Sequence, residues 1–377
     1  MILNDICEFI VDCPHTTVPD EGAGYPLIRT PNIGKGRLVL NGVHRVSEKV
    51  YRQRIQRGMP QDNDLIFARE APAGNVAIVK NGEKVCLGQR TVLLRPDKSK
   101  VCPDYLVYYI LAPAQQYKLL GTANGATVAH VNLPVIRNMP VELPPLEVQE
   151  IVAGYLSAYD NLIENNQKQI KLLEEVAQRL YKEWFVDLRF PGYEDTPIVD
   201  GVPEGWERLP VGELIEKIPR TTQIMASEYG KEGPIPIIDQ SREFIAGYTD
   251  NHASLVNVGK PVIVFGDHTR ILKYIQFPFA KGADGTQLIV SNTDRMPQSL
   301  FYCSLVGVDL SNYHYARHFK YLKAEELLVP TQVIAEAFDH FVSPMFSKIQ
   351  RLRDINKAAT NARDRLLPKL MSGEIEV

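Results

Sequence analysis

The side chains with the clearest chemistry in this sequence are cations. Between Arg29 and Arg57 the chain carries Arg29, Lys35, Arg37, Arg45, Lys49, Arg52, Arg54 and Arg57 against a single acid, Glu48. A run of this kind can neutralise several phosphates, which is the sequence-independent part of nucleic-acid affinity. It equally suits a solvated loop face. Two weaker groups stand in the second half. One is His268, Arg270 and Lys273; the other runs from Tyr313 to Lys323, where Arg317, His318 and Lys320 alternate with aromatic residues. That alternation fits groove edges and phosphates, or a helix laying cation stems over a core face. Side chains able to make paired hydrogen bonds to base edges occupy loop-like settings at Arg69, Asn75, Gln89, Arg90, Gln240, Arg242 and Gln287. The candidate contacts are therefore Arg29, Lys35, Arg37, Arg69, Asn75, Gln89 and Arg90, and then Arg242, His268, Arg270, Gln287 and Arg317.

No constellation for catalysis accompanies them. Gly259-Lys260 runs into Pro261 and Gly230-Lys231 into Glu232, so neither makes a phosphate-binding loop. Gly22-Ala23-Gly24 lacks the third glycine of a dinucleotide site. HExxH, GxSxG and paired Cys/His sets are missing, and the eight histidines show no metal spacing. No metal is expected. The five cysteines are scattered and odd in number, which fits a reducing cytoplasm better than a disulfide framework. The first residues form neither a signal peptide nor a span long enough for a membrane. With a net charge of −3 over 377 residues, any affinity for nucleic acid must come from local patches.

Two long helices organise the rest. From Leu143 to Phe185, apolar residues fall seven apart at Leu156, Ile163, Ile170, Ala177 and Trp184. A second row follows at Tyr159, Asn166, Leu173 and Leu180. This is a coiled-coil seam, and the polar Asn166 within it is expected to fix register at a cost in stability. The pattern recurs at Met345, Leu352, Ala359 and Leu366, with Phe341, Ile355 and Ala362 as the offset row and Lys348 and Lys369 interrupting it. Ser343-Pro344 reads as N-cap and first turn of this second helix, preceded by a short helix from Pro330-Thr331 and closed by Gly373. The two seams lie roughly 185 residues apart, as two copies of one domain-plus-helix unit would place them. If they pair, they pair antiparallel.

The remaining chain reads as short strands between Gly, Pro and Asn turns. Strands are expected at Leu38–Leu40, Leu65–Phe67, Val76–Val79 and Thr91–Leu94, then at Ile235–Ile238, Val262–Phe265 and Gln287–Val290. Pro-led helices are expected at 103–111 and 297–305. The fold class is mixed α/β (α+β): two tandem globular domains joined by two long antiparallel coiled-coil helices, a pseudo-twofold repeat. The expected boundaries are 1–142, 143–190, 191–328 and 329–377.

Several stretches resemble the specificity (S) subunits of type I restriction–modification enzymes. They are LPPLEVQEIVAGYLSAYDNLIENNQKQIKLLEEVAQRLYKEWF, VPEGWERLPVGELIEKI and ARDRLLPKLMSGEIEV, with DLIFAREAPAGNVAIV and LGQRTVLLRP in the first domain and VIVFGDHTR and GTQLIV in the second. The resemblance implies two target-recognition domains, each reading half of a split double-stranded DNA target. It implies helices that dock two methyltransferase (M) subunits, and separate restriction (R) subunits. S-adenosylmethionine, ATP and Mg would sit on those partners, leaving this chain non-catalytic, without a cofactor and cytoplasmic. A modification-only or bifunctional restriction enzyme would use the same recognition physics. A coiled-coil adaptor that binds proteins through its two heads is the alternative from another class.

Overall fold

The structure, a computed structural model, describes residues 1–80, 82–121, 130–282, 284–313 and 317–377. Two compact units divide the chain: unit 1 holds Met1–Asn166 with Ile355–Val377, and unit 2 holds Gln167–Asp354. Four helices frame their cores: α1 (Pro103–Leu111), α2 (Leu146–Tyr181), α3 (Gln298–Val306) and α4 (Gln332–Ser372). Each unit takes one part of α2 and one part of α4.

Unit 1 contains β1 (Cys7–Asp12), β2 (Tyr25–Ile28), β3 (Gly36–Arg37), β4 (Arg45–Val46), β5 (Leu65–Ala68), β6 (Val76–Ile78), β7 (Cys86–Leu87) and β8 (Thr91–Pro96). They form a five-stranded sheet, β1-β8-β5-β6-β3, and a three-stranded one, β4-β2-β7. Strand alternation sends Leu65 and Phe67 to the core shared with α1 and α2, while Ile66 and Ala68 enter a second core on the other face. A strand buried on both faces needs apolar residues throughout, as LIFA supplies. The expected strand at Leu38–Leu40 is displaced. Gly36–Arg37 make it, Leu38 adds one bridge to Ile33, and Asn32 turns the chain away by donating its side-chain amide to the Val39 carbonyl at 3.1 Å.

Unit 2 repeats this plan. Its strands include β9 (Ile235–Ile238), β10 (Gly247–Thr249), β11 (Leu255–Val256), β12 (Val262–Gly266), β13 (Leu272–Ile275), β14 (Phe279–Lys281) and β15 (Thr286–Ile289). In β13-β12-β15, the central β12 corresponds to β5: Gly266 faces Thr286 as Ala68 faces Thr91, and both threonines are buried. The parallel pair β9-β14 matches β2-β7. Ile263 and Phe265 pack towards α3 and α4, while Val262 and Val264 fill the opposite core.

The long helices show the same repetition. On α2 the residues Gln149, Val152, Leu156 and Asp160 are buried; on α4 their counterparts Ala335, Phe338, Val342 and Phe346 are buried at the same spacing. Antiparallel pairing appears within each unit. In unit 1 Asn166 Nδ2 donates to Asn356 Oδ1 at 2.8 Å, and in unit 2 Arg353 Nη2 donates to Glu174 Oε1 at 3.0 Å.

Two expectations about α4 are corrected. The helix does not begin at Ser343: it runs unbroken from Gln332 through Pro344 and Pro368 to Ser372, closed by Gly373 at φ 76°. Pro344 removes one helical hydrogen bond. It is exposed, as is His340, the residue whose carbonyl loses its donor, while Val342, Phe346 and Ile349 hold the helix to the core of unit 2. The offset row is also one residue out of place. Ile355 is 45% exposed and Phe341 53% exposed, and the inward positions are Val342, Ile349, Asn356, Arg363 and Leu370. The Met345 row is followed by a step of four residues rather than three, so it is the d row of the heptad. On this reading Lys348 and Lys369 fall outside the seam. Of the other seam residues, Leu156, Asn166, Trp184 and Leu352 are buried, and Ile163, Ile170, Leu173, Met345 and Leu366 are half-buried. Trp184 also stacks edge-on to Phe338, with centroids 5.8 Å apart.

Candidate nucleic-acid interface

In unit 1 the end of β1, the β5–β6 hairpin loop, the β7–β8 loop and the segment before Val131 meet in one chain of charged side chains. Arg69 Nη1 donates to Asp12 Oδ2 at 2.7 Å, its Nε to the Val131 carbonyl at 3.1 Å, and its Nη2 lies 2.8 Å from His130 Nε2. Because guanidinium can only donate, His130 Nε2 accepts, and its Nδ1 proton goes to Glu70 Oε1 at 3.1 Å. The other Glu70 oxygen accepts from Arg90. The Arg69 side chain is 11% exposed and that of Arg90 60% exposed, so the series runs from a fixed inner arginine to an exposed outer one.

The other expected contacts divide in the same manner. Gln89 donates to the His15 carbonyl at 2.9 Å, beside Asp12, and so belongs to this cluster. Asn75 closes the hairpin: its N–H side-chain group donates to the Ile33 carbonyl at 2.9 Å and its own carbonyl accepts from Ala68. Arg37 turns to the long helix, donating to Asn161 Oδ1 at 3.1 Å and standing 3.9 Å from Glu164. Arg29 lies against Gly88 with a buried Nε that has no partner among the described residues. Lys35 is exposed. Arg69 and Arg37, chosen as contacts for their cationic forks, are thus held inside the protein by other groups.

Unit 2 builds the corresponding end with other side chains. Gln240 works as a staple, its Oε1 accepting from the His268 N–H at 3.1 Å and its Nε2 donating to the Asp284 carbonyl at 2.8 Å. Asp267 is buried; its Oδ1 caps Phe319 N–H at 2.7 Å and its carbonyl accepts from His318 N–H at 2.9 Å. His268, Arg242, Arg270 and Arg317 are exposed, while Gln287 is half-buried on β15 opposite Phe265. Arg270 Nη2 reaches the Tyr313 carbonyl at 3.3 Å. His314, Tyr315 and Ala316 of the aromatic–cation stretch lie outside the described residues.

Backbone hydrogen bonds make the two ends superimposable in connectivity. Arg69 N–H donates to the Arg90 carbonyl at 2.9 Å, and Asp267 N–H to Gly285 at 2.7 Å. Val131 N–H donates to the Arg69 carbonyl at 2.9 Å, and His318 N–H to Asp267 at 2.9 Å. Gly88 N–H donates to Ile28 at 2.8 Å, and Gly282 N–H to Ile238 at 2.9 Å. Glycine is required at both last positions: a Cβ would come within 2.8 Å of the Ile28 carbonyl in the first and 2.7 Å of Asp239 Cβ in the second.

Residues 1–175 match the type I restriction modification DNA specificity domain family. The first 175 residues thus carry that domain, and the chain is similar to type I restriction enzyme specificity subunits along most of its length. The MjaIX type I restriction enzyme specificity subunit of Methanocaldococcus jannaschii is 25% identical over 367 residues, covering 90% of this chain and 83% of that one. The HindI specificity subunit of Haemophilus influenzae is 21% identical, covering 83% and 86%. The crystal structure of the S subunit from M. genitalium shares the fold, with a TM-score of 0.57 at 16% identity, covering 98% of this chain and 95% of that one. The match to a DNA specificity domain supports DNA binding in a restriction system. Among the described residues no His/Cys/Asp/Glu group could hold a metal, and no helix is long and apolar enough to cross a membrane.

What the sequence did not disclose is the anionic half of the cluster. Asp12 and His130 lie far from Arg69 in the chain, and the end of β1 and the segment before Val131 bring them to it. The usable signal was local: Glu70 follows Arg69 in the LIFARE segment, where strand alternation ends.

Proposed function

We propose that this chain is the non-catalytic reading subunit of a type I complex, with each unit recognising one half of a bipartite duplex target. The observation that carries the reading is one backbone frame built twice with different charged side chains upon it. A repeated scaffold with exchanged polar groups suits two related but unequal DNA sequences. The helices α2 and α4 dock two M subunits and set the distance between half-sites. Docking is supported by apolar residues left exposed on α2, Ile151, Tyr155 and Leu162 in unit 1 and Leu172 and Val176 in unit 2. S-adenosylmethionine, ATP and Mg act on the M and R partners, in the cytoplasm.

Salt titration of duplex binding by the M-bound complex tests the reading. Affinity falls steeply with salt if the units engage phosphates. A protein-binding adaptor would show no duplex affinity at any salt. Exchange of residues 1–142 for the matching region of another S subunit should then alter one half of the methylated target and leave the other unchanged. Simultaneous change of both halves would rule out independent reading by the two units.

A further inference from the structure

The repeated frame contains two positions with left-handed backbone, and the two units fill them reciprocally. At the start of the third strand, unit 1 has Arg90 (φ 64°) where unit 2 has Gly285 (φ 85°). The match is fixed by the N–H bonds of Arg69 and Asp267 to those two carbonyls. At the end of the hairpin loop the assignment reverses. Unit 1 has Gly74 (φ 88°), whose N–H donates to the Ala68 carbonyl at 2.9 Å; unit 2 has Arg270 (φ 60°), whose N–H donates to the Gly266 carbonyl at 2.7 Å. Among the described residues these are the two arginines with positive φ.

An arginine in this conformation is disfavoured by its Cβ, and glycine would adopt it freely. The frame demonstrates as much, since it places glycine there in the other unit. A residue held against its backbone preference where an unstrained alternative exists is a sign of function rather than of folding. Both side chains are also exposed, and both have acceptors that a ligand could replace. Arg90 is held by one carboxylate oxygen, Oε2 of the largely buried Glu70, so most of its guanidinium fork is left for the two acceptors, O6 and N7, of a guanine edge. Arg270 has one long bond to a carbonyl. A side chain at either glycine position would displace a glutamine: a Cβ on Gly285 would lie 2.6 Å from Gln240 Nε2, and one on Gly74 2.5 Å from Gln116 Oε1.

We propose that Arg90 and Arg270 are the specificity-determining residues of units 1 and 2, each pairing through its fork with a guanine edge in the major groove. Because they occupy non-equivalent positions of the same frame, the two guanines stand at different places in their half-sites. This rests on the reading of each unit as a target-recognition domain. It makes Glu70 a positioning residue that holds Arg90 ready, and gives Arg69 no direct contact.

The test is to map methylated sites made by the full chain with its methyltransferase partner, as wild type, R90G, R270G, R90K and R270K. Thermal midpoints of the glycine variants are measured in parallel. R90G should lose discrimination at one G:C pair of the first half-site by roughly 5- to 150-fold and leave the second unchanged, with R270G doing the converse. The lysine variants keep the charge but lose the fork, so they should relax the same single positions. A half-site without any G:C pair overturns the proposal. So does an unchanged motif with uniformly weaker binding and a salt slope shallower by about one, the signature of a phosphate contact. If a glycine variant unfolds while its lysine partner keeps the full motif, the arginine is structural and the proposal fails. A wild-type complex with no bipartite motif instead defeats the reading beneath it.

Discussion

Arg363 of α4 donates to Asp160 of α2 inside unit 1, and the second oxygen of that carboxylate accepts from Tyr108 of α1 at 2.6 Å. Three elements from distant parts of the chain meet at one carboxylate that is 3% exposed. The corresponding places in unit 2 hold Phe346 and Ala177, both in its apolar core. The cluster is therefore not a requirement of helix packing, but removing its carboxylate leaves the Arg363 guanidinium, 12% exposed, with Asp364 alone. Asp160→Ala should cost about 3–5 kcal/mol in urea unfolding of the full chain. Replacing all three partners with apolar residues (Asp160→Leu, Arg363→Met, Tyr108→Phe) should recover most of that loss. A triple variant as unstable as the single one would mean that the ionic contact itself, and not its satisfaction, holds the helices.

Alkaline pH gives a second view of this cluster. Burial and then the Asp160 charge push the Tyr108 hydroxyl well above the ordinary tyrosine range. A raised folded-state value means that the folded protein keeps a proton the unfolded chain gives up. Its contribution is complete below about pH 10 and is lost as pH rises beyond it. The stability difference between wild type and Tyr108→Phe should therefore shrink between neutral pH and about pH 11. A constant difference across that range would remove Tyr108 from the titration.

Arg69 and Arg90 are neighbours in the cluster with opposite consequences on substitution. Arg69→Met leaves Asp12 without its principal cation and removes three hydrogen bonds at an 11% exposed side chain. It should lower stability by about 3 kcal/mol. Any change in DNA discrimination should track the unfolded fraction. Denaturant unfolding and half-site mapping on the same preparations check this. A stable Arg69→Met protein with a relaxed half-site would make Arg69 a reader after all.

Much of the architecture was legible because it is periodic. Seven-residue spacing marked both long helices, and matched Pro-led helices marked the repeat. The misplaced offset row on α4 shows where periodicity fails: its true positions include Asn356 and Arg363, polar residues that a search for apolar sevenths passes over. Their partners Asn166 and Asp160 lie on the other helix, so satisfaction is visible only after pairing. Pro344 misled for a related reason, since a proline's local preference yields to a face anchored by Val342 and Phe346. At the site, sequence selected residues by donor type. It could not tell Arg90, exposed and held through a single carboxylate oxygen, from Arg69 and Arg37, whose acceptors are supplied from remote segments.

The paired helices, if they set half-site spacing, must do so in steps that keep the seam. Asn166 and Asn356 give one fixed point, because the buried Asn166 amide donates to the half-buried Asn356 across the seam. A four-residue insertion in each helix, near Lys168 and near Ile355, adds about 6 Å of rise and turns the following segment by roughly 40° beyond one full turn. A seven-residue insertion adds about 10.5 Å, close to three base pairs, and restores the heptad to within about 20°. The longer insertion should therefore assemble well and widen the spacer by about three base pairs, with both half-sites unchanged. The shorter one should widen it by one or two base pairs at some cost in stability. Methylation mapping reads the spacer, and thermal unfolding reads the seam. An assembled, active seven-residue variant with the original spacer would show that the partner subunits, and not the helices, hold the half-sites apart.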